Sequence, residues 1–465
     1  MRSSKRWIGA AAALVVASII KLQPAIGPLD PVGQSALAII AMAVILWIAD
    51  TLNVGITAIL TLGLLIVAGV PSGVALGGFA TGAFWILVSV LFFGTAMERT
   101  GLARRIAYRI LLLFPPSYMG ISCAFMLIGF VLTLGVPSMT VRTAIMVPIA
   151  FALVQAIKLP LPSRGSAFVV LGAFEMAVLP GCAVLTGSLW GPFIAGLFAN
   201  ASLPISWLEY ARVLAIPTII WCALLVVVNI IVARPEAAPG MSRDSVRVEM
   251  AKLGPIRGAE LTTAAIIAVA VFAWALQPWH RVSPEAIGMV ALAAIFAAGI
   301  LMPPDIGPGI PWALAIFVGG MLSLTTVMNT YKINALIGSY IVSGVQPFAE
   351  NDWLLVLALS VGVALMRFID PIGFMTLAAF ILSLAAFAQT RGIPPLVLTA
   401  VVLLPVHVFW FNYQNIWLAM TDGITKKSAF SGAHRVIFAS AFFATTVVAL
   451  WLSIGYWRWI GILGR

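Results

Sequence analysis

Two arginines lie inside otherwise apolar stretches of this 465-residue chain, each within five residues of a proline. The first is Arg142, which follows the run Gly135-Val-Pro-Ser-Met-Thr140. An arginine within a membrane span costs about 3 kcal/mol, so its presence needs a reason. A guanidinium can bind a carboxylate or sulfonate through paired hydrogen bonds. We therefore take Arg142 as a candidate anion-binding residue, together with its neighbours Ser138, Met139 and Thr140.

The second arginine stands close to an acid, in the run Arg367-Phe-Ile-Asp370-Pro-Ile-Gly-Phe-Met-Thr376. Arg367, Asp370, Pro371 and Thr376 are candidate substrate contacts by the same reasoning. The alternative is a structural ion pair between Arg367 and Asp370, which are three residues apart. Arg142 has no acid nearby in sequence. Glu175 could neutralise Arg142 or act as a coupling carboxylate.

Other polar residues interrupt later apolar stretches and are candidate cavity groups. For substrate binding they are Thr186, Gly187 and Ser188 in one stretch, and Gln414 and Asn415 in another. The alternative for each is a hydrogen bond between helices. For ion coupling the candidates are Ser138, Thr140, Glu175, Asp370 and His407, with Na⁺ near Ser138 and Asp370 or with H⁺ as the coupling ion. His407 could titrate or simply pack.

The composition requires that these residues be positioned by membrane helices. Hydrophobic residues make up 62% of the chain and charged residues 9%, which is too little charge for the surface of a soluble protein of this size. The net charge of +11 lies mostly in short loops, so it indicates topology and not nucleic-acid binding. The three cysteines lie in apolar segments without metal spacing. The sequence thus predicts an all-α polytopic membrane protein.

Basic residues set the predicted orientation. Residues 1–30 form an N-terminal helix, which we interpret as retained because no convincing signal-peptidase site follows it. Four spans then lead to the basic segment Glu98–Arg109, so the N-terminus is predicted to be cytoplasmic and the C-terminus extracytoplasmic. The count is about eleven crossings in the cell inner membrane. Residues 204–212 are interpreted as interfacial, and the polar stretch 234–260 as a cytoplasmic linker.

Two long apolar blocks on either side of the linker are too long for one crossing and are broken near the middle. We interpret them as re-entrant hairpins, at 118–157 in a first repeat (31–233) and at 353–390 in a second (261–465). Each is followed by a broken helix, at 166–200 and 395–422. The breaks at Pro137 and Pro371 lie 234 residues apart, and Trp190 and Trp417 lie 227 apart. Paired interruptions in two inverted repeats are typical of the binding site of a secondary transporter.

Three segments in order resemble the divalent anion/sodium symporter family of dicarboxylate, citrate and sulfate carriers. They are Trp47-Ile-Ala-Asp-Thr-Leu-Asn-Val-Gly-Ile-Thr57, Glu98-Arg-Thr-Gly-Leu-Ala-Arg-Arg-Ile-Ala-Tyr-Arg-Ile110 and Ile205-Ser-Trp-Leu-Glu-Tyr210. The resemblance implies an elevator-type motion and a homodimer. The family's hairpin tips carry Ser-Asn-Thr, which contacts sodium and the substrate carboxylate. Here the first tip reads Ser138-Met-Thr140 and the second has no such triplet, so the motifs are degenerate. Family roles carry over to Ser138, Thr140 and Thr186.

The sequence therefore predicts a secondary active transporter of a small, dicarboxylate-like anion, cation-coupled and elevator-type, embedded in the lipid bilayer as a homodimer. The alternatives are a proton-coupled or exchange carrier for another organic anion, a sulfonate or sulfate, and an anion channel. No enzyme is predicted, because neither His-Glu-x-x-His nor Gly-x-Ser-x-Gly occurs. No resident cofactor is expected.

Overall fold

The computed structural model of the protein describes residues 2–24, 26–136, 138–236, 243–370 and 373–464. The regular elements in these residues are helices. Those of the first half are α1 (Arg2–Leu22), α2 (Pro31–Ile48), α3 (Val54–Val67), α4 (Ser72–Ala75), α5 (Gly82–Thr100), α6 (Leu102–Leu113), α7 (Tyr118–Gly135), α8 (Met139–Ala156), α9 (Arg164–Val178), α10 (Trp190–Asn200) and α11 (Trp207–Ala233).

The second half follows a short linker helix. Its helices, with that of the linker, are α12 (Asp244–Lys252), α13 (Gly258–Ala275), α14 (Gln277–His280), α15 (Pro284–Ala297), α16 (Trp312–Thr330), α17 (Ile333–Val345), α18 (Asp352–Met366), α19 (Phe374–Thr390), α20 (Pro395–Leu403), α21 (Ile416–Ile424) and α22 (Gly432–Trp459). Short 3₁₀ helices lie in the interrupted segments, at Leu179–Cys182, Pro405–His407 and Asn412–Gln414.

Within the described residues, nine helices are long and apolar enough to cross a membrane. Shorter apolar helices, among them α3 and α15, accompany them. A lipid-embedded segment must satisfy its own backbone groups, which helices do internally. The predicted all-α, multi-span membrane fold is confirmed.

The helices occur in the same order in both halves. Helices α2 and α13 begin 227 residues apart, at Pro31 and Gly258, and α11 and α22 begin 225 apart, at Trp207 and Gly432. In each half a helical hairpin (α7–α8, α18–α19) precedes an interrupted helix (α9–α10, α20–α21). The inversion of the halves across the membrane, and the boundaries predicted for them, stay predictions.

Polar side chains set where the helices of the hairpins and interrupted segments begin. The side chain of Ser117 caps α7 by accepting a hydrogen bond from the amide of Gly120 at 3.1 Å. Ser138 does the same for α8, and Asn351 for α18. A capped N-terminus satisfies amides that would otherwise lack a partner in lipid.

Helix α11 differs from the sequence interpretation. Residues 207–212, interpreted as part of an interfacial piece, form the first turns of a single 27-residue helix. Ser206 and Glu209 form a capping box at its start, with the amide of Glu209 3.1 Å from the hydroxyl of Ser206. This reciprocal cap lets the helix begin several residues before the apolar run.

The helices pack into two groups. One group, which we call the hairpin unit, consists of both hairpins, both interrupted helices, α11 and α22 (residues 118–233 and 352–459), and within it α10 packs chiefly against α5 and α16. The other, which we call the frame, contains α2, α3, α5, α13, α15 and α16. Helices α6 and α17 connect the frame to the two hairpins. Each hairpin is therefore joined to the frame through one intervening helix.

The linker between the halves contacts α9 of the hairpin unit at one end and α6 at the other. At one end, the carboxylate of Glu236 accepts hydrogen bonds from the amides of Gly165 (2.7 Å) and Arg164 (3.2 Å) at the start of α9. Burial raises the pKa of Glu236, but hydrogen bonds from its own amide and those two amides, with the charge of Arg164, lower it further, so the net shift is downward. At the other end, Glu260 pairs with the buried Arg105 of α6 at 2.6 Å.

Candidate functional site

Arg142 spans the gap between the two pieces of the first interrupted helix. Its guanidinium is fully buried, and its Nε donates to the carbonyl of Ala177 at 2.7 Å. Its Nη1 donates to the carbonyls of Gly187 (2.7 Å) and Val136 (3.0 Å). Ala177 lies in the last turn of α9, Gly187 precedes α10 and Val136 belongs to the hairpin tip. One side chain thus supplies donors to carbonyls that the break would leave unsatisfied.

Arg367 makes the corresponding contacts in the second half. Its Nε donates to the carbonyl of Val406 at 2.8 Å, and its other nitrogens donate to the carbonyls of Asp370 and Gln414. Val406 lies in the 3₁₀ turn after α20, and Gln414 comes just before α21. Both arginines therefore join a hairpin tip to the two sides of a neighbouring helix break.

These contacts change the interpretation of both arginines. The sequence predicts that Arg142 and Arg367 bind substrate, but in the structure their guanidinium groups face backbone carbonyls. The structural alternative for Arg367 is present, since its Nη1 lies 4.0 Å from the carboxylate of Asp370. No ion pair joins Glu175 to Arg142 among the described residues, and the suggestion that Glu175 neutralises Arg142 stays a prediction. Glu175 accepts a hydrogen bond from Asn229 at 2.5 Å, because α9 turns it toward α11.

The carboxylate of Asp370 binds the N-terminus of α19. Its carboxylate accepts hydrogen bonds from the amides of Gly373 (2.8 Å) and Thr376 (2.7 Å) and from the hydroxyl of Thr376 (2.8 Å). A negative group is stabilised at this end of a helix. The place where an anionic substrate would meet α19 is thus taken by a carboxylate of the chain. Pro371, also a predicted contact, lies outside the described residues.

Aromatic rings close the remaining space at the second tip. The rings of Trp190, at the start of α10, and Phe374, at the start of α19, have centroids 4.4 Å apart. Phe193 packs on the same ring at 4.8 Å. All three side chains are buried. The N-termini of α10 and α19 therefore meet across a packed, apolar contact.

The first tip is different, because its helix N-terminus is open. The hydroxyl of Ser138 accepts from the amide of Val141 at 3.3 Å and so caps α8. The side chain of Thr140 is exposed, and its hydroxyl accepts from the indole of Trp417 at 3.2 Å. Asn415 caps α21 through Oδ1, which accepts from the amide of Trp417 at 3.1 Å. The N-termini of α8 and α21 thus converge beside an accessible threonine.

Several predicted contacts hold the helix breaks together instead of facing an opening. Thr186 accepts from the indole of Trp207 at 2.9 Å, and Ser188 accepts from the amide of Trp190 at 3.4 Å. Both are buried, as are Met139, Thr376 and Gln414. The backbone carbonyl of Gly187 accepts a hydrogen bond from Arg142. The structure therefore brings Ser138, Thr140 and Asn415 to the point where α8 and α21 converge, and Thr140 is the exposed residue of the three.

His407 packs between the two interrupted helices. Its Nδ1 lies 3.1 Å from the carbonyl of Leu403, so this nitrogen is assigned the proton. Its Nε2 lies 3.7 Å from the Sγ of Cys182, in the break of the other half. The rings of Trp190 and Trp221 flank it at 5.8 and 6.1 Å. These contacts fit the packing alternative, and the coupling role of His407 stays a prediction.

Sequence reasoning missed several polar residues that the structure places near the site. Asn229 lies in the middle of the apolar α11, where an amide is itself a signal. Asn412 donates to Asp422 of α21 and accepts from Arg435 of α22, so the segment before α21 is tied to both helices. In the described part of the chain, no three His, Cys, Asp or Glu side chains are grouped to hold a metal. The predicted Na⁺ sites stay predictions.

Residues 4–463 match the family described as the sodium:sulfate symporter transmembrane region. The chain belongs to this family. The match covers both hairpins, both interrupted helices and the frame, and it confirms the resemblance stated from three short segments. The protein is a membrane transporter of the sodium:sulfate/dicarboxylate type and not an enzyme.

Known relatives agree with this assignment. The chain is 25% identical to a membrane protein of Cupriavidus necator, over 97% of this chain and 91% of that protein. It is 22% identical to the chloroplastic dicarboxylate transporter 1 of Spinacia oleracea, over 92% and 76%. It is also 22% identical to the inner membrane protein YbhI of Escherichia coli, over 71% and 70%.

A solved structure shares the fold. The crystal structure of the YdaH transporter of Alcanivorax borkumensis aligns with 99% of this chain and 98% of its own, at a TM-score of 0.56 and 12% identity. At that identity the likeness concerns the fold alone. It supports the arrangement of the helices in the described residues.

Proposed function

We propose that the protein is a secondary carrier of a small organic anion of the dicarboxylate type, bound where the N-termini of α8 and α21 converge. The observation that carries the proposal is the exposed Thr140 at this point, 3.2 Å from Trp417 of the opposite half. Two helix N-termini attract an anion through their aligned dipoles. The dicarboxylate class is supported by the name of the spinach relative.

Three side chains would donate to a bound carboxylate. The hydroxyls of Ser138 and Thr140 each accept one hydrogen bond within the protein, which leaves their hydrogens for an anion. The hydrogen bonds described for Asn415 engage Oδ1, so its Nδ2 can donate. The contrast with the second tip supports this site, since Asp370 and a packed aromatic contact occupy its counterpart.

The buried arginines bear on the coupling ion. In many transporters, carbonyls of unwound helix segments coordinate Na⁺. Here the carbonyls at both breaks, such as those of Gly187 and Gln414, accept hydrogen bonds from Arg142 and Arg367. We therefore favour the alternatives of proton coupling or anion exchange over Na⁺ coupling at these positions. The fixed guanidinium charges would replace the ion.

The elevator-type motion, the homodimer and the location also remain part of this proposal. The packing of the hairpin unit against a separate frame supports a motion of one group past the other. The inner membrane is supported by the name of the E. coli relative, and a cytoplasmic N-terminus by the basic residues after the fourth span.

Counterflow into liposomes tests the proposal. The full-length protein is reconstituted with internal unlabelled dicarboxylate, and uptake of labelled dicarboxylate is measured in sodium and in choline salts. We expect saturable exchange of equal rate in both salts. A strict requirement for sodium would overturn the coupling claim, and conductance without saturation would indicate a channel.

The position of the site is tested with Thr140→Val. A hydrogen bond to a charged group contributes about 1.5–3 kcal/mol, so the half-saturating concentration should rise at least about tenfold. Thr330→Val is the matched control, because Thr330 is an exposed threonine at the end of the frame helix α16. Unchanged affinity in Thr140→Val would place the anion elsewhere.

A further inference from the structure

Glu175 of α9 and Asn229 of α11 form an isolated polar pair inside the hairpin unit. Glu175 is fully buried and Asn229 is 3% exposed. The Nδ2 of Asn229 donates to Oε2 of Glu175 at 2.5 Å. The other oxygen of each side chain, Oε1 of Glu175 and Oδ1 of Asn229, is buried without a partner among the described residues.

Both unpaired atoms are hydrogen-bond acceptors. A single hydrogen placed between them would therefore satisfy both. An ionised carboxylate buried within the membrane, with no cation paired to it in the described residues, is strongly unfavourable. One proton on Oε1 removes the charge and supplies a donor for Oδ1 of Asn229. The acid and the amide then exchange two hydrogen bonds. We infer that Glu175 and Asn229 form a proton-binding site that is filled and emptied in step with the anion site.

Glu175 of the pair lies on the same helix as a carbonyl that Arg142 binds. Glu175 precedes Ala177 by two residues, and Ala177 is the carbonyl to which Arg142 donates. Several elements packed against α9 carry charged or titratable side chains. These side chains are Arg142 of α8, Tyr118 and Cys123 of α7, Glu209, Tyr210, Arg212 and Cys222 of α11, Cys182 of the 3₁₀ turn, Asp422 of α21, and His434, Arg435, Tyr456 and Arg458 of α22.

Charge links the two sites, and this step rests on the proposed function. With the anion bound, a proton on Glu175 leaves the charge of Arg142 available to offset it. With the anion gone, an ionised Glu175 offsets Arg142 instead. Each ligand therefore raises the affinity for the other, and the coupling is reciprocal. Net transport would carry one proton with each anion, whereas exchange of one anion for another would need no proton movement.

Glu175→Gln tests the inference, because a glutamine has the shape and hydrogen-bonding pattern of the protonated acid. Its Nε2 can donate to Oδ1 of Asn229 while its Oε1 accepts from Nδ2. In the wild type, anion affinity should fall by up to about tenfold per pH unit as Glu175 ionises. In Glu175→Gln the affinity should not change with pH, exchange should continue, and accumulation driven by a pH gradient should be lost.

The control is Glu209→Gln, on the same helix. Glu209 caps α11 at the surface, and glutamine can fill the same capping role. This variant should keep the pH dependence of the wild type. Glu175→Gln with wild-type pH dependence would overturn the proton site while leaving the anion carrier intact.

A second measurement separates this inference from the proposed function. If the wild-type protein exchanges no dicarboxylate, the proposed function fails, but thermal unfolding in detergent still tests the pair. Ionisation of Glu175 should lower the melting temperature of the wild type as the pH rises, and Glu175→Gln should lose that component. Identical pH profiles for the two proteins would overturn the proton site.

Discussion

Arg142 should be required for folding stability before any substrate is present. Replacement by alanine removes the Arg142 donor from three carbonyls, those of Val136, Ala177 and Gly187. An unsatisfied buried group costs about 1–3 kcal/mol, which gives about 6 kcal/mol for the three. The variant also avoids the cost of burying the guanidinium, which offsets about 3 kcal/mol of that loss in stability. Arg142→Ala should therefore lose about 3 kcal/mol, or roughly 3–6 °C in melting temperature.

The same variant should acquire a response to sodium. Removal of the side chain leaves a space lined by carbonyl oxygens at a helix break, which is the kind of ligand set that hard cations prefer. Sodium chloride should raise the melting temperature of Arg142→Ala relative to choline chloride of equal ionic strength. The wild type should not distinguish the two salts. Arg164→Ala, which removes a largely exposed arginine from the start of α9, is the control.

Two outcomes would refute this reasoning about Arg142. One is an Arg142→Ala protein that melts within about 1 °C of the wild type, well below the roughly 3–6 °C expected. The other is normal melting of the empty variant together with loss of stabilisation by dicarboxylate, which would restore Arg142 as a substrate ligand.

Three further predictions concern the caps around the site. Asp370→Ala vacates the N-terminus of α19, so sulfate should raise the melting temperature of the variant and not that of the wild type. Asn415→Ala should lose about 1 kcal/mol of stability and also anion affinity, whereas Asn351→Ala, which removes a similar cap from α18, should lose only stability. Glu236→Gln should lower the melting temperature at neutral pH. Because the folded pKa of Glu236 lies below its usual 4.5, its contribution is complete above that value and disappears as the pH falls through the folded pKa.

The architecture could be predicted because it depends on local sequence patterns, namely long apolar runs and the residues that interrupt them. Gly135-Val-Pro137 and Asp370-Pro371 interrupt long apolar runs, and the second block repeats the spacing of the first. A broken apolar run permits few structures in lipid, so hairpins and interrupted helices follow directly. The error in α11 was also local. The pattern Ser206-x-x-Glu209 is a capping box, and it marks the start of the helix ahead of the apolar run.

The partners of the buried charges could not be predicted from the sequence. Arg142 donates to main-chain carbonyls 35 and 45 residues away, and every residue carries such a carbonyl, so no side-chain pattern identifies them. Glu175 and Asn229 are 54 residues apart on different helices. Their pairing depends on how α9 and α11 rotate against each other. The openness of one helix N-terminus and the closure of the other are likewise products of tertiary packing.

The imbalance between the two arginines should give the carrier an electrical signature. Arg367 lies 4.0 Å from Asp370, whereas no carboxylate lies within ion-pair distance of Arg142 in the described residues. In an elevator-type movement, an ionised Glu175 would offset Arg142 in the empty hairpin unit. When the anion and the proton are both bound, the positive charge of Arg142 would move through the membrane field with the anion, at about 2.3 kcal/mol per elementary charge per 100 mV for a full crossing. A bound monoanion would cancel that charge and a dianion would reverse it. Membrane voltage would then discriminate between anions of different valence that the binding site itself accepts equally.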